Sequence, residues 1–237
     1  MKTKIIIILL VLSPVFIFGQ GKKKGVSFGL NIAKWSGDTD GFTKSLADEM
    51  NQVEGFSGFY FINKPRFCFS MGYLIDYQIN KSFSIQPEIW FIQKGIKFTG
   101  SGRVTVSNGY ETQSFNVDET MTMQTDYAEL SVFARYSITD SKVIPYLYCG
   151  PNFGYLIISK MKVKVAIDGD SDTESEKYSG FEDLDVGLSV GGGLDFSNKL
   201  RIDVRYQYGF TPVVNENSDD GFKMHNSVFI INLVTIF

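Results

Sequence analysis

The final stretch of the chain, residues 227–237, constrains the fold more than any other segment. It is β-branched, aliphatic or aromatic almost throughout, and Asn232 is the one clearly polar residue on one of its two alternating faces. The other face carries Phe229, Ile231, Leu233 and Phe237. An apolar strand with a free edge invites aggregation, whereas a closed barrel in a bilayer has no edge and lipid covers its outer face. The stretch therefore predicts the closing strand of a membrane β-barrel.

The composition narrows the class of protein. The 237 residues are enough for one full domain, and a content of 15% aromatic residues, 23 Gly and 6 Pro favours an all-β fold. The net charge of −3 gives no indication of a nucleic-acid partner, which would need a basic face. Cys68 and Cys149 are too few for a disulfide scaffold, and His225 is the single histidine. We therefore expect no nucleic-acid partner, no metal and no cofactor.

The N-terminus resembles a secretory signal. Lys2 and Lys4 precede the apolar run at residues 5–18, and the small residue Gly19 follows it. This run is shorter than the roughly 20 residues that a membrane-spanning helix needs. It predicts a signal peptide over residues 1–19 and a barrel domain over residues 20–237. No later apolar run is long enough to span as a helix, so any membrane insertion must use strands.

Period-two alternation predicts eight strands, at residues 26–33, 67–78, 83–97, 127–137, 143–160, 183–196, 200–210 and 227–237. Short turns at 79–82, 138–142 and 197–199 alternate with long polar connections at 36–65, 99–125, 164–182 and 214–226. The first long connection has helical spacing from about Thr43, which predicts a short surface helix. An even strand number with alternating loop lengths predicts an eight-stranded, antiparallel, up-and-down transmembrane β-barrel with extracellular loops and periplasmic turns.

The less apolar strand faces carry ten charged residues that we expect to point into the lumen. They are Asp76, Glu88, Lys94, Glu129, Arg135, Asp185, Asp195, Arg201, Asp203 and Arg205. The turn at 197–199 places Asp195 opposite Arg201 and Gly191 opposite Arg205, where the glycine leaves room for the arginine.

These inward charges have two interpretations. An eight-stranded barrel is just wide enough for side chains to fill, so the charges can form a paired, filled lumen. Alternatively, they line a narrow ion path. The first interpretation is favoured because Trp90, Phe133, Tyr146 and Tyr148 are also expected to point inward and would block a pore.

Four short motifs together resemble the PorT-like outer-membrane β-barrel family. They are residues 29–31 (GLN), 87–95 (PEIWFIQKG), 127–129 (YAE) and 145–151 (PYLYCGP). The resemblance covers essentially the whole mature chain and implies an eight-stranded barrel in the outer membrane. The named member of this family is associated with protein secretion and gliding machinery, whereas most relatives carry no assigned activity. The resemblance thus implies a fold more than a role.

An acidic segment resembles the start of a calcium-binding loop, because oxygen-bearing side chains recur at alternate positions: Asp168, Asp170, Asp172 and Glu174. The sixth position is Thr173 instead of Gly, and the twelfth is Ser179 instead of Glu. These departures break the EF-hand pattern and favour a solvated acidic loop.

His225 lies near Asp219 and Asp220 in the last long connection. Some outer-membrane barrels are enzymes with a His–Asp or His–Ser pair at the extracellular rim. No nucleophile motif accompanies this histidine, so catalysis is not expected. The run Gly191-Gly-Gly193 lies inside a strand with no helix after it, which argues against a phosphate-binding loop.

The sequence thus predicts a non-enzymatic outer-membrane barrel with a filled lumen and a structural or interaction role. The alternatives are an accessory component of a secretion or gliding system, a narrow porin-like channel and, least favoured, a rim-site enzyme. We expect a monomer whose partners are outer-membrane lipids and the outer-membrane insertion machinery, with secretion-system proteins as further candidates. The C-terminal aromatic Phe237 resembles the signal by which that machinery recognises its clients, so we interpret it as an assembly signal.

Overall fold

The computed structural model describes residues 21–107, 110–138, 142–196, 199–214 and 221–237. The predicted signal peptide at residues 1–19 lies outside these ranges. Within them the chain forms one helix and nine strands: β1 Gly21–Gly37, α1 Thr39–Gln52, β2 Phe56–Gln78, β3 Phe83–Ser107, β4 Thr112–Ser137, β5 Val143–Ile167, β6 Asp170–Lys177, β7 Leu184–Phe196, β8 Leu200–Pro212 and β9 Met224–Ile236.

Eight of the strands close into an antiparallel ring in the order β1-β2-β3-β4-β5-β7-β8-β9, and β9 pairs with β1. At this seam Val26 lies opposite Thr235, and the backbones of Lys24 and Phe237 exchange two hydrogen bonds of 3.2 and 2.8 Å. The eight-stranded, up-and-down, antiparallel barrel is confirmed. The terminal stretch that posed the aggregation problem is the strand that closes the ring.

The two faces of the ring are inverted relative to a water-soluble protein. Outward side chains such as Leu30 and Ile89 are 62% and 63% exposed, whereas the inward Lys94 is fully buried. Because a water-soluble surface rarely exposes a continuous apolar band, this band is a lipid-facing surface. Alternation in the sequence could not distinguish the two faces, and the structure places the charged face inside. Among the described residues, no helix is long and apolar enough to cross a bilayer.

For three of the long loops, the extent predicted from the sequence is wrong. Most of the connection at 36–65 is occupied by α1 and by the ends of β1 and β2. Most of the connection at 99–125 is occupied by the loop-side ends of β3 and β4. The acidic segment expected to be loop contains β6, which folds back on β5 through a turn at Asp168 and Gly169, both with positive φ. In all three cases polar residues continue the strand ladder beyond the apolar band, since neighbouring strands still satisfy their backbone groups.

The predicted surface helix is present and begins at Thr39, four residues before the predicted position. It lies at the loop end of the barrel and is tied to β2 by side chains. The Asn63 amide donates to the Thr39 hydroxyl over 3.2 Å, and Asn51 both donates to and accepts from the backbone of Phe59. The helix therefore lies close to one rim of the ring.

Candidate functional site: the filled lumen

All ten charged residues predicted to face the lumen do so, and none is more than 6% exposed. They are Asp76, Glu88, Lys94, Glu129, Arg135, Asp185, Asp195, Arg201, Asp203 and Arg205. Six carboxylates thus share the interior with four cations. Strand alternation accounts for their direction, because each lies on the face opposite the lipid-facing residues of its strand. They are arranged in three layers along the barrel axis.

The layer at the turn end is a quartet of two arginines and two aspartates. The Arg135 guanidinium contacts Asp76 at 3.1 Å and Asp195 at 3.3 Å. Arg201 contacts the same two carboxylates at 2.6 and 3.1 Å, and it also donates to Gln86. The charges of the quartet balance, which is the condition under which buried ion pairs can offset their desolvation. A cavity of about 240 Å³ lies at this end, beside Asp76, Arg135 and Asp195.

The middle layer is built around Arg205. Its guanidinium donates to Glu88 over 2.8 Å and to the Tyr148 hydroxyl over 3.1 Å. The same group lies 5.0, 4.4 and 5.2 Å from the ring centroids of Trp90, Phe133 and Tyr148. A desolvated cation among aromatic faces is favourable, and the rings leave little free space around it. The expectation that these aromatics point inward is confirmed.

Asp203 departs from the expectation that the lumen charges are paired. No lysine, arginine or histidine nitrogen of the described residues lies within 4.0 Å of its carboxylate. Three neutral groups bind it instead: the hydroxyls of Tyr148 and Tyr146 donate over 2.6 and 3.2 Å, and the Asn232 amide donates over 2.8 Å. Hydrogen bonds to an ionised acceptor are about twice as strong as neutral ones, which compensates for the missing cation.

The third layer is centred on Lys94. Its ammonium donates to Glu129 over 2.8 Å and to Asp185 over 2.9 Å, and it lies 5.1 Å from the ring centroid of Tyr127. Neutral donors support the two carboxylates, because Gln207 donates to Glu129 over 2.6 Å and Asn226 donates to Asp185 over 2.9 Å. One cation between two carboxylates gives this layer a formal charge of −1.

In each layer, hydrogen bonds cross the lumen between strands that lie opposite each other in the ring. Arg201 and Arg205 on β8 reach Gln86 and Glu88 on β3, four strands away in either direction. Near the third layer, Asn226 on β9 reaches the Tyr127 hydroxyl on β4 over 3.3 Å, also across the full width. Side chains therefore span the interior at three levels.

The predicted register of the β7–β8 hairpin is confirmed, with Asp195 opposite Arg201 and Gly191 opposite Arg205. The reason for the glycine differs from the one expected. A methyl group on Gly191 would lie 2.5 Å from Tyr148 Cζ, so the adjacent space is occupied by that ring. Arg205 then binds the hydroxyl of the same tyrosine. The glycine makes room for an aromatic ring that orients the arginine.

An apolar cluster that was not predicted from the sequence closes the loop end of the lumen. We call it the apolar plug: Trp35, Ile96, Phe98, Met123, Phe181, Val213 and Met224, flanked by Phe42 of α1 and Phe222. A small cavity of about 50 Å³ lies beside these side chains. Six of its seven members lie outside the predicted strands, the exception being Ile96, so their inward alternation was not followed. The signal was present, because Ile96 and Phe98 continue the inward face of β3 that includes Trp90 and Lys94.

The remaining candidates are not brought together into a site. Asp170, Asp172 and Glu174 are exposed on the β6 hairpin, and no group of three or more histidines, cysteines or carboxylates that could hold a metal occurs in the described ranges. His225 lies in β9 and not in a loop, with its Nδ1 3.2 Å from the Thr211 carbonyl oxygen and its ring stacked on Tyr208. Asp219 and Asp220 lie outside the described residues.

A closed ring of eight strands, apolar outside and charged inside, defines an outer-membrane type of β-barrel protein. Comparison with protein families agrees, since the model of the outer membrane protein beta-barrel domain matches residues 20–215. The chain belongs to this family, which indicates the bacterial outer membrane as its location. A comparison with curated proteins finds no match.

Several solved structures are similar to the structure of this chain. The attachment invasion locus protein Ail of Yersinia pestis is 15% identical, with 93% of this chain and 100% of that chain covered and a TM-score of 0.35. Neisserial surface protein A (NspA) is 16% identical, with coverages of 92% and 100% and a TM-score of 0.38. OprG of Pseudomonas aeruginosa is 11% identical, with coverages of 93% and 97% and a TM-score of 0.38.

Proposed function

We propose that this protein is a non-conducting, non-enzymatic outer-membrane barrel with a structural or interaction role. One observation carries the proposal: side chains cross the lumen between opposite strands, with Arg205 of β8 bound to Glu88 of β3 as the central bridge. An open channel needs a continuous aqueous path, and the aromatic rings around this bridge occupy that path. The apolar plug adds a second barrier at the loop end.

Opening this lumen would be costly. A permeating ion would have to displace Arg205 from Glu88 and from the Tyr148 hydroxyl, leaving a buried carboxylate without its cation. Breaking a buried pair in this way costs about 3–5 kcal/mol. Such a barrier supports the filled-lumen interpretation over the narrow ion path.

Conductance in planar bilayers tests the proposal. Refolded protein, with insertion verified on liposomes by its heat-modifiable gel shift, is expected to give no discrete channel events. A porin added to the same bilayers serves as the positive control. The variant Tyr148→Ala/Arg205→Ala, which empties the central layer, is a matched attempt to open the lumen. Reproducible events of uniform size from the wild-type protein would refute the proposal.

The geometry around His225 supports the absence of catalysis. Nδ1 of His225 lies 3.2 Å from the backbone carbonyl oxygen of Thr211, and among the described residues no carboxylate or side-chain nucleophile is hydrogen-bonded to the ring. The ring is also stacked on Tyr208, with 6.0 Å between the centroids. This arrangement supports a structural role at the rim.

A second candidate follows from the PorT-like resemblance of residues 87–95 and 145–151, and we propose it separately: an accessory role in protein secretion or gliding. These motifs lie in β3 and β5 of the ring. Deletion of the gene, followed by quantitative analysis of secreted proteins, tests this role. Loss of a defined cargo set is expected, and an unchanged secretome would contradict it.

The proposal includes a route to the membrane and a set of partners. Residues 1–19 would direct export, and the insertion machinery would then recognise the exposed ring of Phe237. Outer-membrane lipids would cover the apolar band. Closure of the ring by β1 and β9 leaves none of its eight strands with a free edge inside the membrane, which supports a monomer.

A further inference from the structure

Seven lysines lie on the outer face of the barrel near the loop end, on the side formed by β1 to β6. We call them the lysine belt: Lys34, Lys64, Lys97, Lys160, Lys162, Lys164 and Lys177. They lie on five different strands and are spread over the sequence, so their grouping is not evident from the sequence alone. Strand pairing brings them together.

Direct pairing places the centre of the belt on one face. Lys64 lies opposite Lys97, Lys97 opposite Thr122, and Thr122 opposite Lys162, on the adjacent strands β2, β3, β4 and β5. Lys160 and Lys164 are two residues away on either side of Lys162. With strands about 4.8 Å apart and a rise of about 3.3 Å per residue, these lysines cover roughly 14 by 13 Å.

This face is the outer one, because the alternating residues of the same strands point inward. Phe98 and Met123 lie on the opposite face and belong to the apolar plug inside the barrel. The lysine side chains of β5, in contrast, are exposed. The belt is therefore presented to the surroundings of the barrel and not to its lumen.

The charges of the belt are not neutralised by the protein. None of its lysines takes part in a salt bridge among the described residues. Two carboxylates share the outer face of β2–β6 in the described ranges, and both are engaged elsewhere. Asp118 accepts from the Ser101 hydroxyl over 2.6 Å, and the buried Asp126 accepts from Gln93 and Gln124 over 3.2 and 2.8 Å.

The acidic residues of β6 point to the other face of its hairpin. Asp172 lies opposite Val165 and Glu174 opposite Val163, whereas Thr173 lies opposite Lys164. Alternation therefore separates the carboxylates from the lysines on the two faces of the same hairpin. The result is a positive outer face on a chain with a net negative charge.

The depth of the belt matches the headgroup region of a bilayer. Exposed apolar residues lead directly to it: Ile32 precedes Lys34 by two residues, Ile157 precedes Lys160 by three, and Phe67 follows Lys64 by three. At about 3.3 Å per residue along strands tilted by about 40°, the lysines begin roughly 5–8 Å above these three side chains along the membrane normal. The polar interface on each side of the hydrocarbon core is of similar thickness, about 5–8 Å.

We propose that the lysine belt binds the phosphate groups of lipids in the leaflet that surrounds the loop end of the barrel. Lysine ammonium groups act as point charges toward phosphate, and several on one face can hold more than one phosphate at once. Continuity with the apolar band identifies a lipid as the ligand, since acyl chains lie against the band while the phosphates reach the belt. The inference does not depend on whether the lumen conducts.

Binding of a phosphorylated lipid to the refolded barrel tests this proposal. The protein in neutral detergent is titrated with diphosphoryl lipid A, and bound lipid is counted by native mass spectrometry. The test variant is Lys160→Gln/Lys162→Gln/Lys164→Gln, and the matched control removes three exposed lysines at the turn end, Lys81→Gln/Lys142→Gln/Lys199→Gln. The heat-modifiable gel shift verifies that both variants fold.

The expected result is a large and selective loss of affinity. One basic side chain near an anionic surface contributes about a fivefold factor, so the belt variant should bind on the order of 100-fold more weakly. The control variant should change by less than about threefold, and added salt should weaken wild-type binding by screening. Equal binding by wild type and belt variant would overturn the proposal. Equal binding of lipid A without phosphates, or full competition by matched inorganic phosphate, would also overturn it.

Discussion

Replacing Lys94 with Met is expected to destabilise the barrel strongly, although the lumen stays filled. Its ammonium is fully buried and binds Glu129 and Asp185 at 2.8 and 2.9 Å. Methionine has nearly the same length and fills the same space, so packing is preserved while the charge is lost. Both carboxylates would then remain in the interior with neutral donors only.

The magnitude follows from the two contacts. A hydrogen bond to a charged group contributes about 1.5–3 kcal/mol, so losing two of them costs about 3–6 kcal/mol. Removal of one partner from a buried ion pair gives a similar figure, about 3–5 kcal/mol. We therefore expect Lys94→Met to lower the free energy of unfolding by about 4 kcal/mol. This is a large fraction of the roughly 5–15 kcal/mol by which a folded domain is typically stable.

Urea unfolding of the barrel in lipid vesicles, followed by tryptophan fluorescence, measures this change, because Trp90 lies inside the lumen next to the middle layer. The exposed Lys81→Met, at the turn end and outside the lysine belt, is the matched control, and surface substitutions of this kind usually change stability by less than about 0.5 kcal/mol. The triple variant Lys94→Met/Glu129→Gln/Asp185→Asn should recover most of the loss, since it leaves no unpaired charge.

Two results would refute the reasoning. A loss below about 1 kcal/mol for Lys94→Met would show that water reaches the third layer and screens the carboxylates. A triple variant no more stable than the single one would show that the unpaired carboxylates of Glu129 and Asp185 are not the source of the loss.

Three further changes test other parts of the barrel. Deleting Phe237 should impair assembly, and Phe237→Ala separates the causes: it keeps both backbone bonds to Lys24 and removes only the ring, so normal insertion of this variant would place the signal elsewhere. Gly191→Val should lower stability by about 1–3 kcal/mol in the urea assay, because its side chain would collide with Tyr148, and an unchanged midpoint would contradict the packing argument. His225→Ala should leave any measurable activity unaltered, whereas loss of an activity would restore the rim-enzyme alternative.

The ring and the direction of its charges could be predicted because both depend on local rules. Period-two alternation assigns each residue of β8 to a face, and the short turn at 197–199 sets Asp195 opposite Arg201. The pairing of β9 with β1, which closes the ring, follows from the need to remove a free apolar edge. These features require only neighbours along the chain or on the adjacent strand.

The contacts that fill the lumen could not be predicted in the same way. Arg205 and Glu88 lie on opposite strands, so nothing in their sequence separation or strand pairing indicates the contact. Asp203 was expected to pair with a cation and instead binds two tyrosines. Tyr146 and Tyr148 of β5 are long enough to reach past β7 to Asp203 on β8. The distance across a barrel is set by its closure, which no single hairpin contains.

The strand extensions were missed for a different reason. Polar residues above the apolar band resemble loop in composition, yet Lys160, Lys162 and Lys164 alternate at period two as strand residues do. Polarity on both faces is the ordinary state of a strand that has left the membrane. The prediction was wrong there because it required an apolar face for every strand.

The inverted distribution of charge also selects the strand register. A slip of β8 by one residue would turn Arg201, Asp203 and Arg205 toward lipid and bring Ile202 and Val204 into the lumen. An arginine on the lipid face costs about 2–4 kcal/mol near the midplane of the bilayer, and the lost buried contacts would add to that cost. The total is comparable to the whole stability of a domain of this kind. A filled ionic lumen and a lipid-facing exterior therefore act together, because each makes a pairing slipped by one residue unfavourable.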